Sequence, residues 1–451
     1  MSRAMQARTG NSTAGATGTP GTTDTGTTGT TAPDGTTALD SPASPGGPAG
    51  KREGVRWGRA AALAVTVICL LYAPVAMTGL WPFARPGAPS LGQWLLGRSV
   101  SPGYAATLIQ DRAVPYARSL GPLIVHSVLG GLLMLIGPAQ LLTAVRRRIR
   151  LHRALGILYA AAVYVSMAGV ALYLIRTRPE ETFSGAAFWV VLATLLTGTV
   201  LSVTFGVLTA VAGLPELHQR WMLLCYAYLM TAPLLRIEWG ALPALYPGLT
   251  LQEINLVALM PLGTLVVLGA LLASRAMDRR DNHPYVSGRW WPAPALATAY
   301  AVAVAGLVWL GHGFAGHGTP GRRLLLAYAV PYVLLLAVPQ VRALRAARRG
   351  AVWAREEWHT HLVVMCLAPA FSAGTAVMLQ RAMDLDELTA LTAGAGLSVG
   401  FLAFGAHVLV GVRVLSGRRA HGRRTDPSAS RTAAATATAT TAVPGLEGEA
   451  P

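Results

Sequence analysis

Long apolar segments alternate with short polar segments through most of the chain between about residue 58 and residue 413. A helix needs about 20 consecutive apolar residues to cross the hydrocarbon core of a bilayer, which is about 30 Å thick. The pattern therefore predicts an all-α fold, a polytopic transmembrane helical bundle with about ten spans. The predicted spans are 58–80, 119–145, 153–175, 186–212, 220–240, 253–274, 290–311, 322–341, 360–381 and 389–413.

The charges between these segments predict the orientation of the chain. With the N-terminus inside, the inner connections hold 24 lysine and arginine residues and the outer connections hold nine. Short cytoplasmic loops carry an excess of such residues, so the asymmetry predicts that the N-terminus and the C-terminus are both inside. We therefore predict a multi-pass protein of the cell (cytoplasmic) membrane whose surroundings are the lipid bilayer.

Composition supports a membrane protein and excludes several other classes. Hydrophobic residues make up 53% of the chain and charged residues 13%, whereas soluble domains average about 25% charged residues. The net charge is +17, but the basic residues form short clusters between apolar runs, which argues against a nucleic-acid partner. Cys69, Cys225 and Cys366 each lie inside an apolar run, so we predict neither a disulfide framework nor a metal site.

Both ends of the chain differ from the segments between them. Residues 1–50 and 416–451 are rich in small and polar residues and are predicted to be disordered tails. Between them we predict a first membrane bundle at 51–280 and a second at 281–415. The longest outer connection, 81–118, is predicted to form a partly ordered cap over the outer face.

A weak internal repeat is predicted from two pairs of residues. His218 and Cys225 recur as His359 and Cys366, 141 residues later in both cases. Each pair lies near the start of an outward-running predicted helix. Duplicated membrane proteins place shared sites between their halves, so the repeat favours a transporter.

One predicted helix, HQRWMLLCYAYLMTAPLLR from His218 to Arg236, organises this interpretation. Eighteen helical steps span about 27 Å and return to the starting face, so its two terminal residues share one face at opposite membrane surfaces. We predict that this face turns toward neighbouring helices. We also predict that Arg236 is held in the interior, paired with Glu238, Glu253 or a cofactor carboxylate.

Three stretches in this part of the chain carry a resemblance. They are HSVLGGLLMLIGPAQLL from His126, LHRALGILY from Leu151 and the helix from His218. In order and spacing they resemble a bacterial membrane-protein family known only as domain-of-unknown-function family 2306, over about residues 116–240. In the last stretch, Gln219 stands where the family usually has a basic residue. The resemblance implies a helical membrane fold and no particular reaction.

Polar residues at the inner ends of two predicted helices form the first set of candidate site residues. His152 and His218 are candidates for cofactor binding or proton handling, because neutral imidazole is a common haem ligand. Arg153, Arg220 and Trp221 are candidate supporting residues. The alternative is that these side chains contact lipid phosphate or extend to the membrane surface.

His126 and Arg236 are the outer candidates. His126 lies about seven residues inside the second predicted span, where a polar group is costly unless it has a partner. It is predicted to be either a hydrogen-bonded structural histidine or a redox or proton-handling residue. Arg236 and the supporting residue Glu238 are its predicted neighbours by depth.

These candidates leave three hypotheses for function. The preferred one is a histidine-bearing redox module that binds b-type haem or a quinone. The alternatives are a proton-linked small-solute transporter and a structural or assembly membrane protein. The sequence contains no phosphate-binding loop, C-x-x-C-H, H-E-x-x-H or G-x-S-x-G motif, so no catalytic residue is predicted and the enzyme question stays open.

Overall fold

The structure is a computed structural model that describes residues 48–278, 280–286 and 288–425, with side chains from residue 60 to residue 421 of those ranges. These residues form α-helices and one 3₁₀ turn, η1, but no β-strand, which confirms the all-α fold. The elements are α1 (Pro48–Thr78), α2 (Trp81–Ala84), α3 (Leu91–Ser99), α4 (Pro102–Ala117), α5 (Leu120–Leu141), α6 (Thr143–Arg147), α7 (Ile149–Arg176), η1 (Pro179–Glu181), α8 (Gly185–Val211), α9 (Pro215–Leu245), α10 (Leu251–Met277), α11 (Ala293–Ala315), α12 (Gly318–Arg348), α13 (Val352–Cys366), α14 (Ala368–Met383) and α15 (Glu387–Thr425).

Nine helical segments of the described residues are long and apolar enough to cross a bilayer. They confirm a multi-pass helical membrane protein. The segments are Ala60–Ala84, Leu120–Leu141, Ile149–Arg176, Gly185–Val211, Leu251–Met277, Ala293–Ala315, Gly318–Arg348, Val352–Met383 and Glu387–His421.

The tenth predicted span, 220–240, lies in α9, which is absent from these nine. Its 31 residues are long enough to cross, but its charged side chains make it less apolar than the other spans. α9 runs antiparallel to α8 along its whole length, because Gly206 of α8 lies against Met222 and Phe183, just before α8, contacts the ring of Trp239. α9 therefore crosses the same depth as α8.

The connection between the first two spans forms a helical cap. Ser90 and Ser101 accept hydrogen bonds from the first turns of α3 and α4, which is the capping that orders short helices. The Tyr104 hydroxyl donates to the carbonyl of Trp239 at 3.2 Å and ties α4 to α9. We call this side of the bundle the cap side. The opposite side, which carries the arginine-rich connections at 142–150 and 342–351, is the basic side.

One hydrophobic core extends from Leu96 to Val414 and includes residues of α9, α10, α13 and α15. The α9 and α15 helices are joined inside it by the Tyr228 hydroxyl, which donates to the carbonyl of Gly400 at 2.8 Å. The predicted bundles 51–280 and 281–415 share this core, and their division stays a prediction.

The predicted tails lie mostly outside the described residues, which begin at residue 48 and end at residue 425. Residues 416–425, predicted to be part of the tail, instead continue α15. The reason is a tertiary contact: the backbone of Tyr285 lies against Gly417, where a Cβ would clash, and the Tyr285 ring contacts Arg418 and His421.

A close helix contact on α11 provides a test of this packing. Gly306 lies against the backbone of Pro369 and Ala370 at the start of α14, with no room for a Cβ, whereas Gly311 on the same helix has open space. We expect Gly306→Val to cost about 1–3 kcal/mol through overpacking and to lower the melting temperature in detergent clearly. Gly311→Val has the same helix-propensity cost and serves as the control. Equal melting of the two variants would contradict the packing of α11 on α14.

Candidate functional site

A cluster of charged side chains lies buried at the basic side, where α9, α10 and α13 meet. We call it the ion-pair network. Its members are Glu216, Arg220, Arg275, Asp278, Arg280, His283 and Glu357. The network contains three arginines and three carboxylates, so its fixed charges balance before the histidine is counted.

Arg220 is the centre of the ion-pair network. Its guanidinium forms an ion pair with Glu357 through one terminal nitrogen and with Asp278, at 2.8 Å, through the other. The side chains of Arg220 and Glu357 are only 4% and 2% exposed. Arg275 of α10 reaches the second carboxylate oxygen of Glu357 at 2.8 Å. A carboxylate from α13 thus holds arginines from both α9 and α10.

The edge of the ion-pair network is fixed by the turn after α10. Burial alone would raise the pKa of Asp278, but the hydrogen bond from Arg280 and the charge of Arg220 outweigh it, and the pKa is lowered. A hydrogen bond to Asp278 likewise raises the pKa of Arg280. Asp278 therefore stabilises the fold at every pH above the ordinary value of an aspartate, about 3.9. This contribution is lost only as the pH falls below that value toward the lowered pKa.

A cavity of about 410 Å³ lies against the ion-pair network. Arg280 at its rim has a side chain that is 47% exposed, so the cavity connects the network to the basic side. Its lining consists of Glu216, Gln219, Arg220, Met277, Asp278 and Arg280. Water entering from this side reaches two carboxylates of the network directly.

Two buried histidines lie deeper in the bundle than the ion-pair network. His361 of α13 is one helical turn beyond Glu357, and its ring centroid is 5.3 Å from that of His407 on α15. The Nδ1 of His407 lies 2.8 Å from the carbonyl of Ala403. The ring of Trp221 on α9 is 5.8 Å from His407. We call His361 and His407 the histidine pair.

His126, the outer histidine predicted from the sequence, joins α5 to α7. Its Nδ1 lies 2.9 Å from the Ser166 hydroxyl, and that hydroxyl donates to the carbonyl of His126 at 3.2 Å. Gly169 of α7 lies against the carbonyl of Pro122 and permits this close approach. The close contact between α5 and α7 therefore depends on Gly169.

His152 and His218 lie at the basic side, as expected from their positions in the sequence. The Nδ1 of His218 is 2.8 Å from the carbonyl of Gly206 on α8. His152 interacts electrostatically with His218, and its buried Nδ1 has no hydrogen-bond partner. Arg153 is exposed. His126 lies toward the cap side, so the three histidines predicted from the sequence do not form one cluster.

Two supporting residues predicted from the sequence lie close to the newly found groups. Arg220 is in the ion-pair network, and Trp221 stacks on Phe205 with ring centroids 5.0 Å apart, beside the histidine pair. Both side chains are buried. The helix from His218 therefore turns Arg220 and Trp221 toward neighbouring helices, and their functional role stays a prediction.

Arg236 does not make the ion pair predicted for it. Its guanidinium lies 4.3 Å from the centroid of the Trp239 ring. Glu253 is bound instead to Thr250, at 2.8 Å, as the reciprocal cap of α10. The Oε2 atom of Glu238 is buried without a hydrogen-bond partner. Among the described residues Arg236 therefore pairs with neither Glu238 nor Glu253, because Glu253 serves as a helix cap and Arg236 lies against the indole face. Its pairing with a cofactor carboxylate stays a prediction.

One part of the chain matches a known family of proteins. Residues 123–273 match the family of predicted membrane proteins DUF2306. The DUF2306 match covers about a third of the chain, from α5 to α10, and confirms the resemblance found at about residues 116–240. It also extends that resemblance through α10. Neither the curated proteins nor the solved structures contain a match.

Sequence reasoning missed the main partners in this site. Asp278, Glu357 and His407 were not predicted as site residues. A signal existed at Glu356 and Glu357, because two carboxylates next to an apolar span are costly unless they find partners. Those partners are 137 residues away in the case of Arg220 and cannot be read from local spacing.

The ion-pair network provides a test of stability. Arg220→Gln leaves the buried carboxylates of Glu357 and Asp278 poorly compensated, which typically costs about 3–5 kcal/mol. We expect a large fall in melting temperature in detergent, with a smaller further fall when Glu357→Gln is added, because the two side chains are coupled.

The control is Arg118→Gln, which removes another arginine–glutamate ion pair, with Glu181, whose side chains are 51% and 33% exposed. An exposed pair contributes little, so this variant is expected to melt close to the wild type. If Arg118→Gln and Arg220→Gln melt alike, the burial of the ion-pair network is contradicted.

Proposed function

We propose that this membrane protein is a proton-linked transporter of a small solute in the cytoplasmic membrane. The observation that carries the proposal is a water-accessible cavity that leads to the buried ion-pair network, with the histidine pair directly beyond it. Charged and titratable groups at such depth are costly, and in membrane proteins they mark ion and proton pathways. The excess of basic residues on the side of this cavity supports a cytoplasmic location for it and for both termini.

The ion-pair network has the features of an element with two stable arrangements. Arg220 has three carboxylates within 4.0 Å, Glu216, Asp278 and Glu357, and Glu357 has a second arginine, Arg275. A proton that binds Glu357 neutralises its carboxylate, and Arg220 then keeps its ion pairs with Asp278 and Glu216. The contact between α9 and α13 then weakens, so protonation biases how the two helices pack.

The histidine pair extends this route toward the middle of the bundle. His361 is faced by His407 from α15, Glu357 from its own helix, Arg220 from α9 and Arg275 from α10. Imidazole both accepts and donates a proton, so the pair can carry a proton between Glu357 and the interior. A step of this kind couples proton movement to a change in helix packing.

Proteoliposomes that contain a pH-sensitive dye test the proposal. With an imposed membrane potential, we expect at least one class in a panel of small carboxylates, amines and neutral solutes to accelerate proton entry. Glu357→Gln and His361→Gln are expected to reduce that rate about tenfold or more, because each removes a proton-binding group from the route. His312→Gln, an exposed histidine on the cap side, is expected to keep the wild-type rate.

Two outcomes would contradict transport of this type. One is that no solute class moves protons with the folded wild-type protein. The other is that Glu357→Gln and His361→Gln, confirmed as folded by their elution and melting, transport as fast as His312→Gln. The first outcome would instead support a cofactor-binding or structural role.

Haem or quinone binding is the second candidate, and the electrostatic interaction between His152 and His218 at the basic side favours it. A reduced-minus-oxidised absorbance spectrum of the detergent-purified protein separates haem binding from the transport proposal. The transport proposal predicts a spectrum without a haem Soret band. A Soret band in the wild type that is lost in His218→Ala would instead support the redox module.

A further inference from the structure

A second cavity, of about 340 Å³, lies near the cap side, between α1, the cap helices α3 and α4, and α9. We call it the cap cavity. Its walls are largely apolar and include Val75, Leu96 and Leu108. Its size is at the lower end of the range for small-molecule sites. It shares no lining residue with the cavity at the basic side.

Two arginines from different helices line the cap cavity. The Arg112 guanidinium carbon, from α4, lies 4.1 Å from the centroid of the Phe183 ring and 4.5 Å from that of Trp239. The Arg236 guanidinium carbon, from α9, lies 4.3 Å from the same Trp239 ring. Aromatic faces attract such cations and leave the edge N–H groups available. Two positive groups thus share one indole.

No carboxylate in the described part of the chain pairs with either arginine. Arg112 is only 5% exposed, and its Nε is buried without a hydrogen-bond partner. Its neighbour Asp111 makes no ion pair with it, and Glu238 does not line the cap cavity. Burial lowers the pKa of Arg112 to about 10, with repulsion from Arg236 among the smaller causes. Arg112 therefore stays charged at neutral pH without a directly paired carboxylate among the described residues.

The rim of the cap cavity faces lipid. Leu71 on α1 and Ile237 on α9 line the cavity and are 67% and 48% exposed. Leu71 lies on the candidate span Ala60–Ala84 and Ile237 on α9, so their exposed apolar surfaces are suited to contact acyl chains. An occupant that enters between these helices meets an apolar rim first and the two guanidinium groups afterwards.

We propose that the cap cavity binds an amphiphile whose oxyanion, a carboxylate or a phosphate, lies between Arg112 and Arg236. The planar guanidinium forks match the oxygens of either group, and a negative charge relieves the repulsion between the two arginines. The apolar part of the amphiphile passes between Leu71 and Ile237 toward the bilayer. The oxyanion belongs either to a free single-chain amphiphile or to the headgroup of an anionic membrane lipid.

This site does not depend on proton-linked transport. It lies on the other side of the bundle and uses different residues. If the amphiphile binds but no solute moves protons, the cap-cavity proposal is supported and the transport proposal is contradicted. If a solute moves protons but the amphiphile does not bind, the transport proposal is supported and the cap-cavity proposal is contradicted.

The test uses the full chain in nanodiscs of zwitterionic phosphatidylcholine. Dodecyl phosphate is added as the probe and dodecanol, which has the same chain without the charge, as its control. We expect dodecyl phosphate to raise the melting temperature of the wild type by several degrees and dodecanol to leave it nearly unchanged, because a ligand of the folded state stabilises it. Arg112→Gln and Arg236→Gln are each expected to weaken binding about tenfold or more. Arg98→Gln, an exposed arginine of the cap outside the cavity, is expected to bind like the wild type.

A second arm separates the two sources of the oxyanion. If a free amphiphile is the occupant, nanodiscs of anionic phosphatidylglycerol behave like those of phosphatidylcholine, and dodecyl phosphate stabilises in both. If a membrane lipid is the occupant, phosphatidylglycerol itself raises the melting temperature of the wild type, and dodecyl phosphate adds little. In either case the effect is lost in Arg236→Gln.

The proposal is overturned if dodecyl phosphate and phosphatidylglycerol stabilise the wild type and the Arg236→Gln variant equally. It is also overturned if neither stabilises the wild type. Arg236 is half-buried and forms no ion pair with an acidic side chain of the described residues, so Arg236→Gln is expected to fold and to melt close to the wild type without ligand. This variant keeps the test decisive even if replacing the more deeply buried Arg112 disrupts the cap.

Discussion

The ion pair between Arg220 and Glu357 is the constraint on which the rest of the bundle depends. Either charge alone at that depth would be costly, so α9 and α13 must meet wherever the chain places them. The same carboxylate also binds Arg275, and the same guanidinium binds Asp278, which fixes the end of α10. Two consecutive helices, α9 and α10, are thereby held together with the distant helix α13 at the basic side. This also explains why α9 crosses the bundle although its charges lower its hydropathy.

The arginines at the two ends of α9 are surrounded by different kinds of groups. At the basic side, Arg220 is surrounded by carboxylates, and the ion-pair network is electrically complete. At the cap side, Arg236 and Arg112 lie against aromatic faces, and neither forms an ion pair with a carboxylate of the described residues. A complete network supports helix packing and can change it when a proton arrives. An incomplete one favours an anion from outside, because aromatic rings offset only part of the lost hydration.

The DUF2306 match contains only part of each site. Arg220 and Glu216 of the ion-pair network lie within residues 123–273, and so do Arg236 and Trp239 of the cap cavity. Their partners Glu357, His361 and His407 are on α13 and α15, and Arg112 is on α4, all outside the match. The helices around the matched region therefore do more than shield it from lipid. They supply the carboxylate of Glu357 at the basic side and the guanidinium of Arg112 at the cap side.

The sequence by itself determined the helical membrane fold, nearly all the spans, the cap at 81–118 and the need of His126 for a polar partner. These follow from local properties, because segment length and hydropathy decide whether a helix can cross a bilayer. Only the tertiary structure decided which groups meet. Ser166 as the partner of His126, Glu357 as the partner of Arg220 and Trp239 as the neighbour of Arg236 depend on how helices pack. The same packing extended α15 past residue 416 through Tyr285. Helix packing brings His126 to a residue 40 positions away and Arg220 to a residue 137 positions away. The periodicity of hydrophobic residues within one helix does not indicate which distant residues will be its partners.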